Sequence, residues 1–217
     1  MIKAVLFDLD GTLADTARDL GAALNRLLAE EGLPPQPYSA IRPIASHGAR
    51  GLVSLGFGIS REHPRFEEYR LRFLDHYEHS FADETILFEG VNEMLQGLAE
   101  RGLTWGIITN KPMRFTDRLV PDLPFATQPS VTVSGDTVGV PKPDPAPMLH
   151  AAAQIGINPA HCLYVGDAER DIQAGRAVGM KTVLANWGYI SEQDHPQAWG
   201  ADICIDQPQD LLRHLPV

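Results

Sequence analysis

Long apolar runs are missing from this sequence. The most hydrophobic stretches, residues 4–7 and 105–108, span only a few residues each, whereas a bilayer-crossing helix needs about 20. A secretory leader is not expected either, because the opening Met-Ile-Lys-Ala-Val-Leu-Phe-Asp runs straight into an acidic motif with no cleavable pattern. Cysteine is scarce. The two present, Cys162 and Cys204, fall in apolar stretches that read as strands, so buried free thiols and a reducing, cytoplasmic compartment are expected. Basic charge is in short supply as well. Eighteen Lys and Arg face 28 Asp and Glu, for a net charge of −10, and no basic block offsets the deficit. Nucleic acid and anionic membrane are therefore excluded as partners. Internal repeats and low-complexity tracts are also absent. What remains, 217 residues with 44% hydrophobic and 21% charged content, is an ordinary globular composition, long enough for one buried domain carrying a smaller insertion.

Short runs rich in Val and Ile recur at residues 2–8, 103–109, 131–134, 162–166, 182–185 and 203–205. Such continuous apolar runs predict strands buried on both faces. Residues 91–101, 145–155 and 169–178 carry helical periodicity between them. Alternation of this kind predicts an α/β core, a Rossmann-like, doubly wound parallel sheet, whose ligands bind at the carboxyl ends of the strands. Residues 15–85 break the rhythm. Leu20, Leu24, Leu27 and Leu28 form one helical stripe that stops at Gly32-Leu33-Pro34-Pro35. A second helix fits 49–55, and a third fits 66–81, with Phe66, Tyr69, Phe73, Leu74 and Tyr77 on one side. The expected division is thus a core of 1–14 and 86–217 interrupted by a helical cap of 15–85.

The first strand ends in Asp8-Leu9-Asp10-Gly11-Thr12. Uncompensated carboxylates after a buried strand repel each other and cost several kcal/mol to desolvate unless paired or metal-bound. Later strand ends add Thr109-Asn110, Lys142 within Val140-Pro141-Lys142-Pro143-Asp144-Pro145, and Gly166-Asp167-Ala168-Glu169-Arg170-Asp171. Singly, Thr109 reads as a helix cap, Lys142 as a solvated loop residue and Asp171 as first-turn charge. At successive strand termini facing one crevice they read together as a phosphoryl-transfer site.

With all four motifs present in order, the sequence resembles the haloacid dehalogenase superfamily over essentially its whole length. Its helical insertion is similar to the cap of the phosphoglycolate-phosphatase-like subfamily. The resemblance implies a phosphatase acting on a small phosphorylated metabolite. Asp8 would be the nucleophile, forming an aspartyl phosphate, and Asp10 the general acid and base. Thr109 would hold phosphoryl oxygens, and Lys142 would neutralise the transferring group. Mg2+ is the implied cofactor, held by the carboxylates of Asp8 and Asp167 and the main-chain oxygen of Asp10, with Asp171 behind them orienting Lys142 or a metal-bound water. Asn110, Lys111, Arg114, His47 and Arg50 are candidates for substrate contact. Three finer stretches, Ser46-His47-Gly48-Ala49-Arg50, residues 109–114 and Gly188-Tyr189-Ile190 leading to Trp199-Gly200-Ala201-Asp202, resemble bacterial phosphatases of N-acetylmuramic acid 6-phosphate, an activity of cell-wall recycling. Phosphoglycolate is the competing substrate. A dehalogenase has no need of Asp10, a phosphosugar mutase needs cap groups not identified here, and a non-catalytic phosphate binder has no reason to keep Asp8, Asp10 and Lys142 together. Monomer and homodimer both stay open.

Overall fold

The computed structural model of the chain describes residues 1–216. They divide into two compact units, one of Met1–Ala14 with the residues from Leu87 onward, the other of Asp15–Ile86.

In the first unit the strands are β1 (Ala4–Phe7), β4 (Thr104–Ile108), β5 (Thr132–Val133), β6 (Cys162–Gly166), β7 (Lys181–Ala185) and β8 (Ile203–Ile205), separated from β1 by two two-residue strands, β2 (Ala14–Asp15) and β3 (Ile86–Leu87), which pair with each other where the chain leaves and re-enters this unit. The six form one sheet in the order β5-β4-β1-β6-β7-β8, with every pairing parallel. The chain therefore moves outward from β1 through β4 to β5, returns to the other side at β6, and continues to β8. That reversal lies around the carboxyl end of β1, where open parallel sheets place their ligands.

Neighbouring residues of β1 point to opposite faces, and all four are buried. Ala4 and Leu6 join Ile108, Val133, Tyr164, Met148 and Ala151 in one core layer. Phe7 meets the ring of Trp105 edge-on at 6.2 Å, and Trp105 meets Phe125 at 5.3 Å. The α-helices of the unit are α5 (Val91–Glu100), α6 (Met113–Asp122), α7 (Ala146–Gln154) and α8 (Glu169–Ala177). The sequence does not announce α6, because Pro112 precedes it and Pro121 lies inside it. β5 is also shorter than its apolar run suggests. The expectation of two buried thiols fails at Cys204, which is exposed while Cys162 is buried. β8 is the last strand of the sheet, so its alternate side chains have no layer to cover them.

The second unit holds α1 (Ala17–Glu30), the single turn α2 (Tyr38–Ile41), a tight 3-10 segment at Arg42–His47, α3 (Gly48–Phe57) and α4 (Phe66–Glu78). The stripe of Leu20, Leu24, Leu27 and Leu28 is buried, with α1 packed against α3 and α4. Tyr69, Phe73 and Tyr77 are buried in this unit's own interior. The Tyr69 ring stacks on Phe57 at 3.9 Å, which settles it as a packing residue. α4 stops three residues short of the expected 81.

Candidate active site

Asp8 follows β1 and is 3% exposed. Its Oδ1 accepts the backbone N–H of Leu9 at 2.8 Å and lies 3.0 Å from the ammonium of Lys142. The same ammonium is 2.8 Å from Asp171 Oδ1 and donates to the Ile108 carbonyl and the Tyr164 hydroxyl, both at 2.7 Å. The other oxygen of Asp171 accepts the Ala168 N–H at 3.0 Å, which seals the first turn of α8 and fixes the carboxylate that faces Lys142. Lys142 is thus a desolvated charge whose surroundings are all acceptors, which a buried ammonium requires. Burial drives the Asp8 carboxyl up to about 7; the Lys142 ammonium opposes that rise, and the Asp171 and Asp167 carboxylates reinforce it. Burial, with the Asp171 and Asp8 charges behind it, also pushes the Tyr164 phenol well above its usual range, so Tyr164 is a neutral hydroxyl here.

Asp167 follows β6 and is equally buried. Its Oδ2 accepts the N–H of Tyr189 at 2.8 Å, and its Oδ1 lies 3.5 Å from the Thr12 hydroxyl. Only glycine serves at position 11. Its φ is +83°, and a Cβ there would stand 2.2 Å from Asp167 Oδ2. The loop after β7 is tied back to the same place by Trp187, whose indole N–H donates to the Thr12 carbonyl at 3.0 Å. Thr109 is buried at the end of β4, and its Oγ1 accepts the N–H of Lys111 at 3.1 Å.

Asn110 has a specific partner. Its side-chain amide donates to the Lys142 carbonyl at 2.9 Å and accepts the Lys142 N–H at 2.8 Å, so it clamps the loop carrying the buried lysine. Both polar atoms of its side chain therefore engage that backbone. Lys111, 7% exposed, places its ammonium 3.0 Å from Asp10 Oδ1. Arg114 is exposed at the start of α6, with its guanidinium 4.7 Å from the Phe115 ring centre. His47 and Arg50 belong to the helical unit, exposed where the 3-10 segment gives way to α3. The sheet unit thus brings Asp8, Asp10, Thr109, Lys142, Asp167 and Asp171 to one end of the sheet, with Asn110 and Lys111 beside them. Sequence reasoning missed Tyr164, an apolar-looking strand residue, and Arg170, whose guanidinium feels Asp171, Asp8 and Asp167. The positive charge between two acidic motif residues was the available signal for Arg170.

Asp8, Asp167 and Asp171 each bring a carboxylate oxygen within 4.8 Å of the others, all buried. An all-oxygen set of this kind suits a hard divalent cation. The elevated proton affinity of Asp8 comes first from burial and then from the neighbouring carboxylates, and a cation held by this set would favour the ionised form against both.

Residues 5–185 match the family model described as haloacid dehalogenase-like hydrolase. An N-acetylmuramic acid 6-phosphate phosphatase of Pseudomonas aeruginosa is 43% identical to the chain, over 97% of it and 93% of the relative. A phosphoglycolate phosphatase of Xanthomonas campestris is 43% identical over 96% of the chain and 94% of the relative. Among solved structures, a hydrolase from Pseudomonas syringae superposes with a TM-score of 0.74 at 27% identity, covering 98% of this chain and 97% of the other. No helix among the described residues is long and apolar enough to cross a membrane.

Proposed function

The chain belongs to the haloacid dehalogenase-like hydrolase family and is a phosphoric monoester hydrolase, and from that premise we propose that it hydrolyses N-acetylmuramic acid 6-phosphate through an aspartyl phosphate on Asp8. The observation that carries the mechanism is the buried ammonium of Lys142, held within 3.0 Å of Asp8 and 2.8 Å of Asp171. A lysine so placed screens the nucleophile from its acidic neighbours and faces the charge of an incoming phosphoryl group.

An Asp8 carboxylate oxygen attacks phosphorus in line, and the ester P–O bond breaks. The departing sugar oxygen takes a proton from Asp10, so the product leaves as a neutral hydroxyl. Water then attacks the phosphorus of the acyl phosphate, giving its proton to Asp10. Inorganic phosphate departs, and the Asp8 carboxylate and the Asp10 acid are restored. The Thr109 hydroxyl holds a phosphoryl oxygen, and Asn110 keeps Lys142 in register through its backbone. Asp8, Asp167 and the Asp10 carbonyl would hold Mg2+, with Asp171 behind them; when bound, the ion neutralises phosphate charge and orients the ester. The expected cap, residues 15–85, keeps that role in this reading, with His47 and Arg50 as its specificity residues; Arg114 of the sheet unit is a separate candidate. The two free cysteines support a reducing cytoplasm as the working compartment, and the activity fits cell-wall recycling.

A second substrate has support of its own, because the phosphoglycolate-named relative is as similar as the amino-sugar one. Phosphate release is to be measured with magnesium from N-acetylmuramic acid 6-phosphate, phosphoglycolate and several hexose phosphates, beside Asp8→Asn as the control. A preference of about a hundredfold for the amino sugar, roughly 2.7 kcal/mol of transition-state stabilisation, supports the proposal. The same preference for phosphoglycolate replaces the substrate and leaves the mechanism. Normal turnover by a folded Asp8→Asn protein removes the mechanism itself.

A further inference from the structure

Lys111 is a buried cation that the phosphoryl-transfer step just described does not use. Its side chain is 4% exposed, its ammonium lies 3.0 Å from Asp10 Oδ1, and the Asp10 side chain is itself only 16% exposed. A desolvated ammonium costs several kcal/mol unless its protons find acceptors, and Asp10 Oδ1 accepts one of them, which a carboxyl group does whether or not its other oxygen carries a proton. A lysine free to range through solvent in search of ligand would be placed otherwise.

The backbone beneath it is fixed from two directions. The Lys111 N–H donates to Thr109 Oγ1 at 3.1 Å, and its carbonyl accepts the N–H of Gly135 at 2.9 Å. The approach at Gly135 is so close that a Cβ there would stand 2.3 Å from the Asn110 carbonyl oxygen. The next helix is pinned in turn, with the Met113 N–H donating to Asp136 Oδ1 at 2.8 Å. The four-carbon stem of Lys111 therefore starts from a rigid point beside Thr109, and its charged end reaches the acidic residue two positions after the nucleophile.

We propose that Lys111 is the positioning residue of Asp10: its ammonium fixes the rotation of the Asp10 carboxyl group and so aims the proton at the departing ester oxygen. This rests on the reading of Asp10 as the general acid. Proton transfer is steeply sensitive to geometry, and a misplacement of about 1 Å can cost on the order of a hundredfold. The tripeptide Thr109-Asn110-Lys111 then serves three different groups in succession: the phosphoryl oxygens, the Lys142 loop and the acid.

A lysine that aims an acid and a lysine that binds substrate charge leave different kinetic traces. The test uses phenyl, para-nitrophenyl and dinitrophenyl phosphate, which keep one shape and carry no second anion while the leaving group needs its proton less and less. The quantity read is kcat/KM, which covers the steps up to leaving-group departure. Asp10→Asn should lower kcat/KM by about a hundredfold or more on phenyl phosphate, within the usual range for a general acid, and by less than about threefold on dinitrophenyl phosphate. Lys111→Met should reproduce that slope at smaller size, about 10- to 100-fold on phenyl phosphate and less than about threefold on the dinitro ester. Lys111→Gln is the second variant, read in the same way should Lys111→Met fail to fold. If the lysine variants lose activity equally on all three esters, or lose none, while Asp10→Asn keeps its slope, Lys111 does not position the acid. If Asp10→Asn itself shows no slope, the assignment of Asp10 as acid falls, and the positioning role with it.

Discussion

In the sheet unit Lys142 has no exposed side-chain surface, and its ammonium lies between two carboxylates. In the helical unit Arg72 keeps 31% of its side chain in solvent while it pairs with Glu30 at 2.8 Å and Glu31 at 2.6 Å. Both arrangements are ion-pair clusters, yet they do different work. Solvated pairs stabilise by about 0–1 kcal/mol each; they bind the surface of α1 to that of α4. Removing one partner from a buried cluster strands a charge at about 3–5 kcal/mol. A fold that needed only stability would put apolar side chains at positions 8, 142 and 171. The sheet unit instead holds these charges in a dry place, which is what the proposed phosphoryl-transfer mechanism asks of them.

Lys142→Met is the strongest way to break this comparison. It strands Asp8 and Asp171, so denaturant unfolding should show a loss of about 3–5 kcal/mol, with phosphate release falling by roughly three orders of magnitude. Unchanged stability would make the cluster equivalent to the one on the helices. Next in size is the response to metal. Magnesium at about 100 times its dissociation constant should stabilise the protein by about 2.7 kcal/mol, seen as a rise in Tm, and Asp167→Asn should remove most of that rise. Tyr164→Phe takes one hydrogen bond from Lys142 and one from the Ile108 carbonyl, and should cost about 1–2 kcal/mol with a smaller effect on turnover.

Acid sharpens the other side of the comparison. The Arg72 guanidinium holds Glu30 and Glu31 below their usual 4.5, and Arg65 does the same for Glu68. Carboxyls whose folded values are depressed contribute stability above their unfolded value and lose it as pH falls through the folded one. Stability should therefore decline below about pH 4.5 less steeply in Arg72→Gln than in the parent chain. Parallel declines in acid titrations of Tm would show that these exposed pairs contribute nothing.

Much of the sheet unit is legible in the sequence for a simple reason. Strands buried on two faces are continuous apolar runs, and chemical groups interrupt them where they end, as at Asp8 after β1 and Asp167 after β6. The leucine stripe of α1 is as plain. Partnerships between loops are not. Asn110 finds Lys142 across 32 residues, and Lys111 finds Asp10 across 101; side-chain reach sets both, and no periodicity records it. Cys204 misled for a related reason, since an apolar run does not say whether its strand lies at the centre or the edge of a sheet. α6 was hidden by its two prolines.

The clamp that Asn110 places on the Lys142 backbone bears on how such an enzyme is redirected to new substrates. Position 110 adjoins Thr109 and so invites mutagenesis for specificity, yet varying it would detune the lysine common to every phosphate ester. If the proposed specificity role of the exposed His47, Arg50 and Arg114 holds, libraries aimed at selectivity belong there, while 109–111 are carried as a block together with the loops it braces.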